Sequence, residues 1–215
     1  MTDTDRSTRL EAACTALPLV AILRGLRPEE SVEIAQTLYD AGFRLIEIPL
    51  NSPEPFDSIA RVRAALPADA LIGAGTVTTL DAVARLDEIG ADLVVMPHAD
   101  TAVIAQAKAA GMICIPGIAT PTEAYAALHA GADALKVFPA ELVDAKVVKA
   151  IRTILPVGTR LLPVGGIAPD TMTDFLAAGA AGFGLGSALY KPGDDAATVA
   201  AKAGAFTKAW AREAG

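Results

Sequence analysis

Cysteine, histidine, aromatic residues and long apolar runs are all scarce in this sequence of 215 residues. Its two cysteines, Cys14 and Cys114, are too few for a disulfide framework and lack the spacing of metal ligands. No apolar run is long enough to cross a membrane, and the first ten residues lack the apolar core of a secretory signal. We therefore expect a cytoplasmic protein with no metal site and no membrane partner.

Basic side chains are also in the minority, since 18 Lys and Arg oppose 25 Asp and Glu, for a formal net charge of −7. Surfaces that bind nucleic acid need clustered Lys and Arg, and the sequence has no such cluster. A small phosphorylated ligand is not excluded, because it needs only a few local donors. Hydrophobic residues make up 53% of the chain, which predicts a sizeable folded core. We expect a single domain over residues 1–215.

One sequence pattern recurs along the chain: an Ala-rich segment of helical spacing, a glycine, and then a short apolar run. Glycine just after a helix favours the left-handed turn that ends it. The apolar runs are too short for helices and show little polar alternation, which is typical of parallel strands covered on both faces. They lie at residues 19–23, 45–50, 71–75, 93–97, 113–117, 134–138, 161–165 and 182–186.

Eight successive strand–helix units predict a (β/α)8 barrel. A doubly wound open sheet is the alternative, but eight even units favour closure. We also expect an extra helix near residues 7–16 that closes the bottom of the barrel, and a last outer helix over residues 194–213. Pro169 with Asp170, and separately Ser187, are predicted to begin short helices.

Catalytic groups of such barrels gather at the carboxyl ends of the strands. Three of these ends have an ionisable side chain on an otherwise apolar strand, namely Arg24, Glu47 and Lys136. A lone charge in a barrel core costs several kcal/mol, so each of these groups must be paired, neutralised or functional.

Lys136 lies in the segment ALKVFPA. Because side chains alternate along a strand, Lys136 shares one face with Phe138, and Leu135 shares the other with Val137. If the latter pair packs against the helices, Lys136 points into the barrel, where burial lowers its pKa. A neutral amine is a nucleophile toward carbonyl groups. The alternative is a lysine that is ion-paired at the rim of the barrel.

Glu47 is turned inward by the same alternation, together with Leu45 and Pro49. It is a candidate general acid/base, and a purely structural ion pair with Lys136 is the alternative. Arg24 suits an anionic group of a substrate, with a salt bridge at the rim as its alternative.

Glycine-rich turns follow the last two strands, with Gly165 and Gly166 in PVGGI and with Gly186 and Ser187 in GLGS. Glycines let backbone N–H groups approach an anion, and barrels often bind phosphate after these two strands. The segment GAGTV is similar, and Thr76 would supply a hydroxyl donor there. A tight turn of the barrel is the alternative for Thr76.

Six segments, in chain order, resemble the 2-keto-3-deoxy-6-phosphogluconate/phosphogalactonate aldolases: PLVAILRG, GFRLIEIPLNSP, LIGAGTV, ALKVFP, PVGGI and GLGS. The resemblance extends from about residue 17 to about residue 210. It implies a class I aldolase barrel that cleaves a small phosphorylated keto acid to pyruvate and glyceraldehyde 3-phosphate. It also implies a homotrimer, and imine chemistry in place of a metal or other cofactor.

The same resemblance implies a role for each site residue. Lys136 would form a Schiff base, and Glu47 would be the acid/base. The residues implied to bind the substrate are Arg24, Thr76, Pro97 and Phe138, and those implied to bind its phosphate are Gly165, Gly166, Gly186 and Ser187. His98, next to Pro97, is interpreted as a rim residue and not as a catalytic one.

One position separates two branches of this family. Members that act on the gluconate epimer resemble E-V-T-L-R-T, with an arginine four residues after the glutamate. This chain has Asn51 there, and its segment EIPLNSP resembles the phosphogalactonate branch. We therefore expect Asn51 to bind the substrate and to favour the galactonate epimer. The alternatives are an aldolase for the gluconate epimer, a phosphosugar isomerase or epimerase that uses Glu47 as a base, and a phosphosugar-binding barrel without catalysis.

Overall fold

The structure, a computed structural model, describes residues 3–214 and the side chains of residues 7–213. The predicted single domain also includes residues 1, 2 and 215, which lie outside this range. The strands are β1 (Leu19–Ile22), β2 (Leu45–Pro49), β3 (Leu71–Gly75), β4 (Leu93–Val95), β5 (Ile113–Ile115), β6 (Gly117–Ile118), β7 (Leu135–Val137), β8 (Leu161–Pro163) and β9 (Phe183–Leu185). The helices are α1 (Asp3–Ala16), α2 (Pro28–Asp40), α3 (Pro55–Ala65), α4 (Leu80–Glu88), α5 (Thr101–Ala109), α6 (Pro121–His129), α7 (Ala145–Ile154), α8 (Met172–Ala177) and α9 (Ala196–Ala214).

The strands are parallel and lie side by side in the orders β5-β4-β3-β2-β1-β9 and β6-β7-β8. β5 and β6 are two pieces of the predicted fifth strand, which is interrupted at Pro116 because proline has no N–H to donate. On the other side, Val164 after β8 bridges to Gly184 of β9. The sheet therefore closes, which confirms the predicted (β/α)8 barrel and excludes the open sheet.

Two apolar layers follow from the alternation of side chains along each strand. In β2, Ile46 and Ile48 belong to the layer between the sheet and the helices, whereas Leu45 belongs to the interior of the barrel. Helix α1 adds Leu10 and Ala13 to the interior layer. This confirms that an extra helix closes the bottom, the end formed by the amino ends of the strands. The catalytic end predicted from the sequence is the opposite one, the top.

The predicted helix start at Pro169 and Asp170 is wrong, because α8 begins at Met172. The hydroxyl of Thr171 accepts a hydrogen bond from the Ala168 N–H at 2.9 Å and donates one to the Ala168 carbonyl at 3.1 Å. This local turn competes with helical hydrogen bonding and delays the helix.

The helix predicted to begin at Ser187 is also wrong, because residues 187–189 form a single turn. The N–H groups of Leu189 and Tyr190 both donate to the Gly186 carbonyl, at 2.8 and 3.1 Å. Over the described residues, no helix is long and apolar enough to cross a membrane. The same part of the chain contains no cluster of three or more side chains able to hold a metal ion.

Asp92 ties α1 to the bottom of the barrel. Its carboxylate accepts hydrogen bonds from the guanidinium of Arg9 at 2.7 Å, that of Arg63 at 2.8 Å and the Ile72 N–H at 3.2 Å. The Asp92 side chain is only 12% exposed. Removing it therefore takes the counter-charge from two partly buried guanidinium groups, which keep only backbone carbonyl acceptors among the hydrogen bonds described, and one acceptor from the Ile72 N–H.

We expect Asp92→Ala to lower the free energy of unfolding by about 3 kcal/mol, because two partly buried positive charges lose their counter-charge. Denaturant unfolding of the two proteins measures the difference. Asp87→Ala, on the exposed face of α4, is the matched control and should change the stability by less than about 0.5 kcal/mol. Equal effects of the two substitutions would contradict a specific role for Asp92.

Candidate active site

Lys136 occupies the middle of β7 and is 6% exposed. Leu135 and Val137 pack in the outer layer, as the alternation predicts, so that the side chain of Lys136 faces the barrel interior. Its Nζ atom lies 4.5 Å from the centroid of the Phe138 ring. This arrangement confirms the predicted inward orientation of the lysine beside an aromatic ring.

Glu47 lies in β2 and is 1% exposed. Its Oε2 atom is buried and has no hydrogen-bond partner. Glu47 and Lys136 line the same small void of about 10 Å³, whose other walls are apolar. Within the described range, no direct ion pair joins the two side chains. The structural ion pair, which was the alternative to an acid/base role of Glu47, is therefore absent, and the two groups face a shared space.

Burial shifts both groups toward their neutral forms. It raises the pKa of Glu47 to about 7, although the positive charges of Lys136 and Arg24 oppose this shift. Burial also lowers the pKa of Lys136; the Glu47 charge opposes that shift and the Arg24 charge adds to it. Near neutral pH, Glu47 can therefore both accept and release a proton, and the lowered pKa of Lys136 favours its uncharged amine.

A cavity of about 400 Å³ opens above this pair at the top of the barrel. Its walls come from the loops after β1, β7, β8 and β9. They include seven residues predicted from the sequence, namely Arg24, Lys136, Phe138, Gly165, Gly166, Gly186 and Ser187. The structure thus brings the lysine and the two glycine-rich turns to one site.

The turn after β8 requires glycine at two consecutive positions. Gly165 and Gly166 have φ values of +115° and +63°, in the region that other residues rarely adopt. Among the described residues, neither backbone N–H donates a hydrogen bond to the protein. The turn therefore offers two uncommitted donors beside the cavity, which suits an anionic group.

Two charged residues of the cavity wall were missed from the sequence. Glu141 lies against the glycine turn, since a Cβ built on Gly165 would be 3.1 Å from its Oε1 atom. Lys191 lies in the loop after β9. Neither residue belongs to a motif with a known spacing. The one signal in the sequence was proximity to a predicted site residue: Glu141 follows Lys136 by five residues, and Lys191 follows Ser187 by four.

Asn51 does not line the cavity wall, but it forms a hydrogen bond with Arg24, which does. Its Oδ1 atom accepts a hydrogen bond of 2.6 Å from Nη1 of Arg24. Both side chains are exposed at the top of the barrel. The residue that distinguishes the two sequence patterns is therefore in direct contact with the predicted anion-binding arginine.

Thr76 and Pro97 also lie outside the wall of this cavity. Thr76 directly follows β3 and has a φ of +57°, which is unusual for a β-branched residue. The backbone of Pro97 packs against the start of β6, where a Cβ on Gly117 would be 2.5 Å from the Pro97 carbonyl oxygen. His98 is exposed, as a rim residue is. The substrate-binding roles of Thr76 and Pro97 stay predictions.

Comparison with known proteins places these features in one family. Residues 10–201 match the family model for KDPG and KHG aldolases. A probable 2-dehydro-3-deoxy-6-phosphogalactonate aldolase of Rhizobium meliloti (strain 1021) is 48% identical over 86% of this chain and 88% of its own. The 2-dehydro-3-deoxy-6-phosphogalactonate aldolase of Escherichia coli (strain K12) is 44% identical over 93% of this chain and 97% of its own.

A solved structure gives the same result for the fold. A protein described as "Native KDPGal structure" superposes with a TM-score of 0.90 and is 43% identical, over 92% of this chain and 96% of its own. The likeness therefore extends from the sequence motifs to the whole barrel.

Proposed function

We propose a substrate and a mechanism for this chain, which belongs to the KDPG and KHG aldolase family. It is a class I aldolase that cleaves 2-dehydro-3-deoxy-6-phosphogalactonate to pyruvate and glyceraldehyde 3-phosphate. The observation that supports this most directly is the buried pair of Lys136 and Glu47 on one void, beneath a cavity with two glycine-rich turns. Two relatives, at 44% and 48% identity, are named as aldolases of this phosphogalactonate, which supports the galactonate epimer as the substrate.

Lys136 is the nucleophile of the proposed reaction. Its uncharged Nζ atom adds to the C2 ketone and forms a carbinolamine, and loss of water then gives an iminium. Burial assists the first step because it lowers the pKa of the amine. The iminium accepts the electron pair of the C3–C4 bond when that bond breaks.

Glu47 transfers the protons. It donates a proton to the departing hydroxyl of the carbinolamine and afterwards, as the carboxylate, takes the proton of the C4 hydroxyl. The C3–C4 bond then breaks to release glyceraldehyde 3-phosphate and to leave a pyruvate enamine on Lys136. Protonation at C3 and hydrolysis release pyruvate and restore the free amine. A carboxyl group with a pKa of about 7 suits both directions of transfer.

The phosphate end of the substrate is proposed to bind at the glycine-rich turns. The N–H groups of Gly165 and Gly166 are uncommitted donors, and Gly186 and Ser187 face the same cavity. Binding energy from this remote end aligns the reacting bond with Lys136. Arg24, in the wall of the same cavity, supplies a positive charge for the anionic substrate.

Trapping with borohydride in the presence of pyruvate tests the covalent step. Reduction of the imine should leave a carboxyethyl group on Nζ of Lys136, found by peptide mass spectrometry. A sample reduced without pyruvate is the control. An isomerase or epimerase that uses Glu47 as a base, and a binding protein, would give no adduct, and that result would exclude the aldolase mechanism.

Asn51→Arg is expected to shift the preference between the two epimers toward the gluconate form. A guanidinium in place of a neutral amide displaces Arg24 and changes which hydroxyl finds a partner. A displaced or unmatched hydrogen bond costs about 1–3 kcal/mol, so the shift should be roughly 5- to 150-fold. The ratio of kcat/KM for the two epimers, in the native protein and the variant, measures it.

Asn51→Asp is the matched control, because it keeps an oxygen acceptor for Arg24 at nearly the same size. It should leave the epimer ratio close to that of the native protein. If Asn51→Arg lowers kcat/KM equally for both epimers, Asn51 only positions Arg24 and does not discriminate. A native protein that strongly prefers the gluconate epimer would contradict the proposed substrate.

The homotrimer and the cytoplasmic location also remain proposals. Exposed apolar side chains around α7, such as Leu142, Val147 and Ile154, support a subunit contact there. Light scattering of the purified protein tests this: the mass of three chains supports the trimer, and that of one chain contradicts it.

A further inference from the structure

Gly75 is the last residue of β3 and lies beside Glu47 of the neighbouring strand β2. A Cβ built on Gly75 would be 2.5 Å from Oε1 of Glu47, and Oε2 and Cδ of the same carboxyl group would be closer still. Real Cβ atoms do not approach other atoms to such distances. The carboxyl group of Glu47 therefore occupies the space that a side chain at position 75 would need.

The backbone does not require glycine at this position. Gly75 is not among the glycines with positive φ, and it pairs in regular parallel register with Pro49. Its carbonyl accepts a hydrogen bond of 2.8 Å from the Leu50 N–H, as in an ordinary strand. An alanine can adopt such a backbone without strain. The steric conflict lies with the Glu47 carboxyl group, which supplies the three nearest atoms.

Gly73, two residues earlier in β3, gives the contrast. A Cβ at that position would meet the backbone of Leu93 in β4, with its Cα at 2.8 Å. A paired backbone cannot move aside without breaking the sheet, whereas a glutamate side chain can rotate. Gly73 is therefore needed for the close approach of two strands, and Gly75 leaves room for one side chain.

We propose that Gly75 is a positioning residue, whose missing side chain keeps the carboxyl group of Glu47 inside the barrel beside Lys136. The proposal rests on the proposed function, in which Glu47 transfers protons. A Cβ at position 75 would push the carboxyl group away by about 1 Å or more. Displacements of this size are enough to cost a catalytic group about 100-fold in rate.

Gly75→Ala is the direct test. The expected result is a fall in kcat of about 10- to 100-fold, a smaller change in KM, and a displaced inflection in the pH profile of kcat/KM. Pyruvate should still be trapped on Lys136 at the end point, because the lysine is untouched. Absence of trapping in the native protein would contradict the proposed function. Trapping in both proteins, with native kcat and pH profile in Gly75→Ala, would overturn the positioning role alone.

A shorter acid provides the rescue. Glu47→Asp withdraws the carboxyl group by one methylene, which makes room for the Cβ of an alanine at position 75. In the double variant that combines Glu47→Asp with Gly75→Ala, kcat should be about 10-fold higher than the value expected if the two single losses multiplied. The reason is that the two substitutions affect the same space. Losses that simply multiply would show that position 75 does not act through Glu47.

Stability measurements keep the test valid if Gly75→Ala folds poorly. The substitution should lower Tm in the native background and have little effect in a Glu47→Ala background, where no carboxyl group competes for the space. An equal loss of Tm in both backgrounds would overturn the proposal. Gly204→Ala is the matched control, because a Cβ at this position of α9 meets nothing within 4 Å. It should leave both kcat and the pH profile unchanged.

Discussion

Lys136→Arg is expected to lose roughly four orders of magnitude or more in kcat, with the barrel intact. The guanidinium of arginine stays protonated and cannot add to a ketone, so that no imine forms. The side chain at this position contacts the cavity and not the outer layer, and the strand packing provided by Leu135 and Val137 is unchanged. Pyruvate release, coupled to lactate dehydrogenase, measures the loss, and circular dichroism verifies the fold.

Lys149→Arg, on the exposed surface of α7, is the matched control and should keep native activity. The variants must be purified from a host without its own aldolase of this type. Near-native turnover by Lys136→Arg would then show that Lys136 is not the nucleophile. Borohydride trapping of pyruvate on the variant should likewise give no adduct.

Glu47→Gln is expected to lower kcat by about 10²- to 10⁴-fold, the usual contribution of general acid–base catalysis. The amide has nearly the same shape as the carboxyl group but cannot take or give up a proton near neutral pH. In the native protein, the pH profile of kcat/KM, which reports the groups of the free enzyme, should bend near 7, the value to which burial raises the pKa of Glu47. That inflection should be missing in Glu47→Gln, and its persistence would assign the inflection to another group.

The same substitution should change the stability with a definite sign. The pKa of Glu47 is about 7 in the folded protein and near its ordinary 4.5 in the unfolded chain, so the folded state binds the proton more tightly. Between these two values the native protein loses stability as the pH rises, because Glu47 ionises in the unfolded chain while it stays protonated in the folded protein. Glu47→Gln should therefore be more stable relative to the native protein at pH 8 than at pH 4, as measured by denaturant unfolding. The exposed Glu88→Gln in α4 is the control and should show no such difference.

The eight strands were predictable because each is a short apolar run bounded by glycine or proline. The inward faces of Lys136 and Glu47 were also predictable, because the side chains of a strand alternate with a period of two. The short helices near the glycine turns were not. Their starts depend on a hydroxyl of Thr171 that competes for the local backbone, and on a single turn at Gly186 that does not extend.

By itself, the sequence determined the barrel, its top, and the two ionisable groups turned into it, because these follow from local periodicity and the order of the motifs. Only the tertiary structure decided how those groups meet their neighbours. The hydrogen bond of Asn51 to Arg24 and the place of the Glu47 carboxyl group against Gly75 join different strands and loops. Such contacts depend on the register and curvature of the closed sheet, which no pattern within one strand encodes.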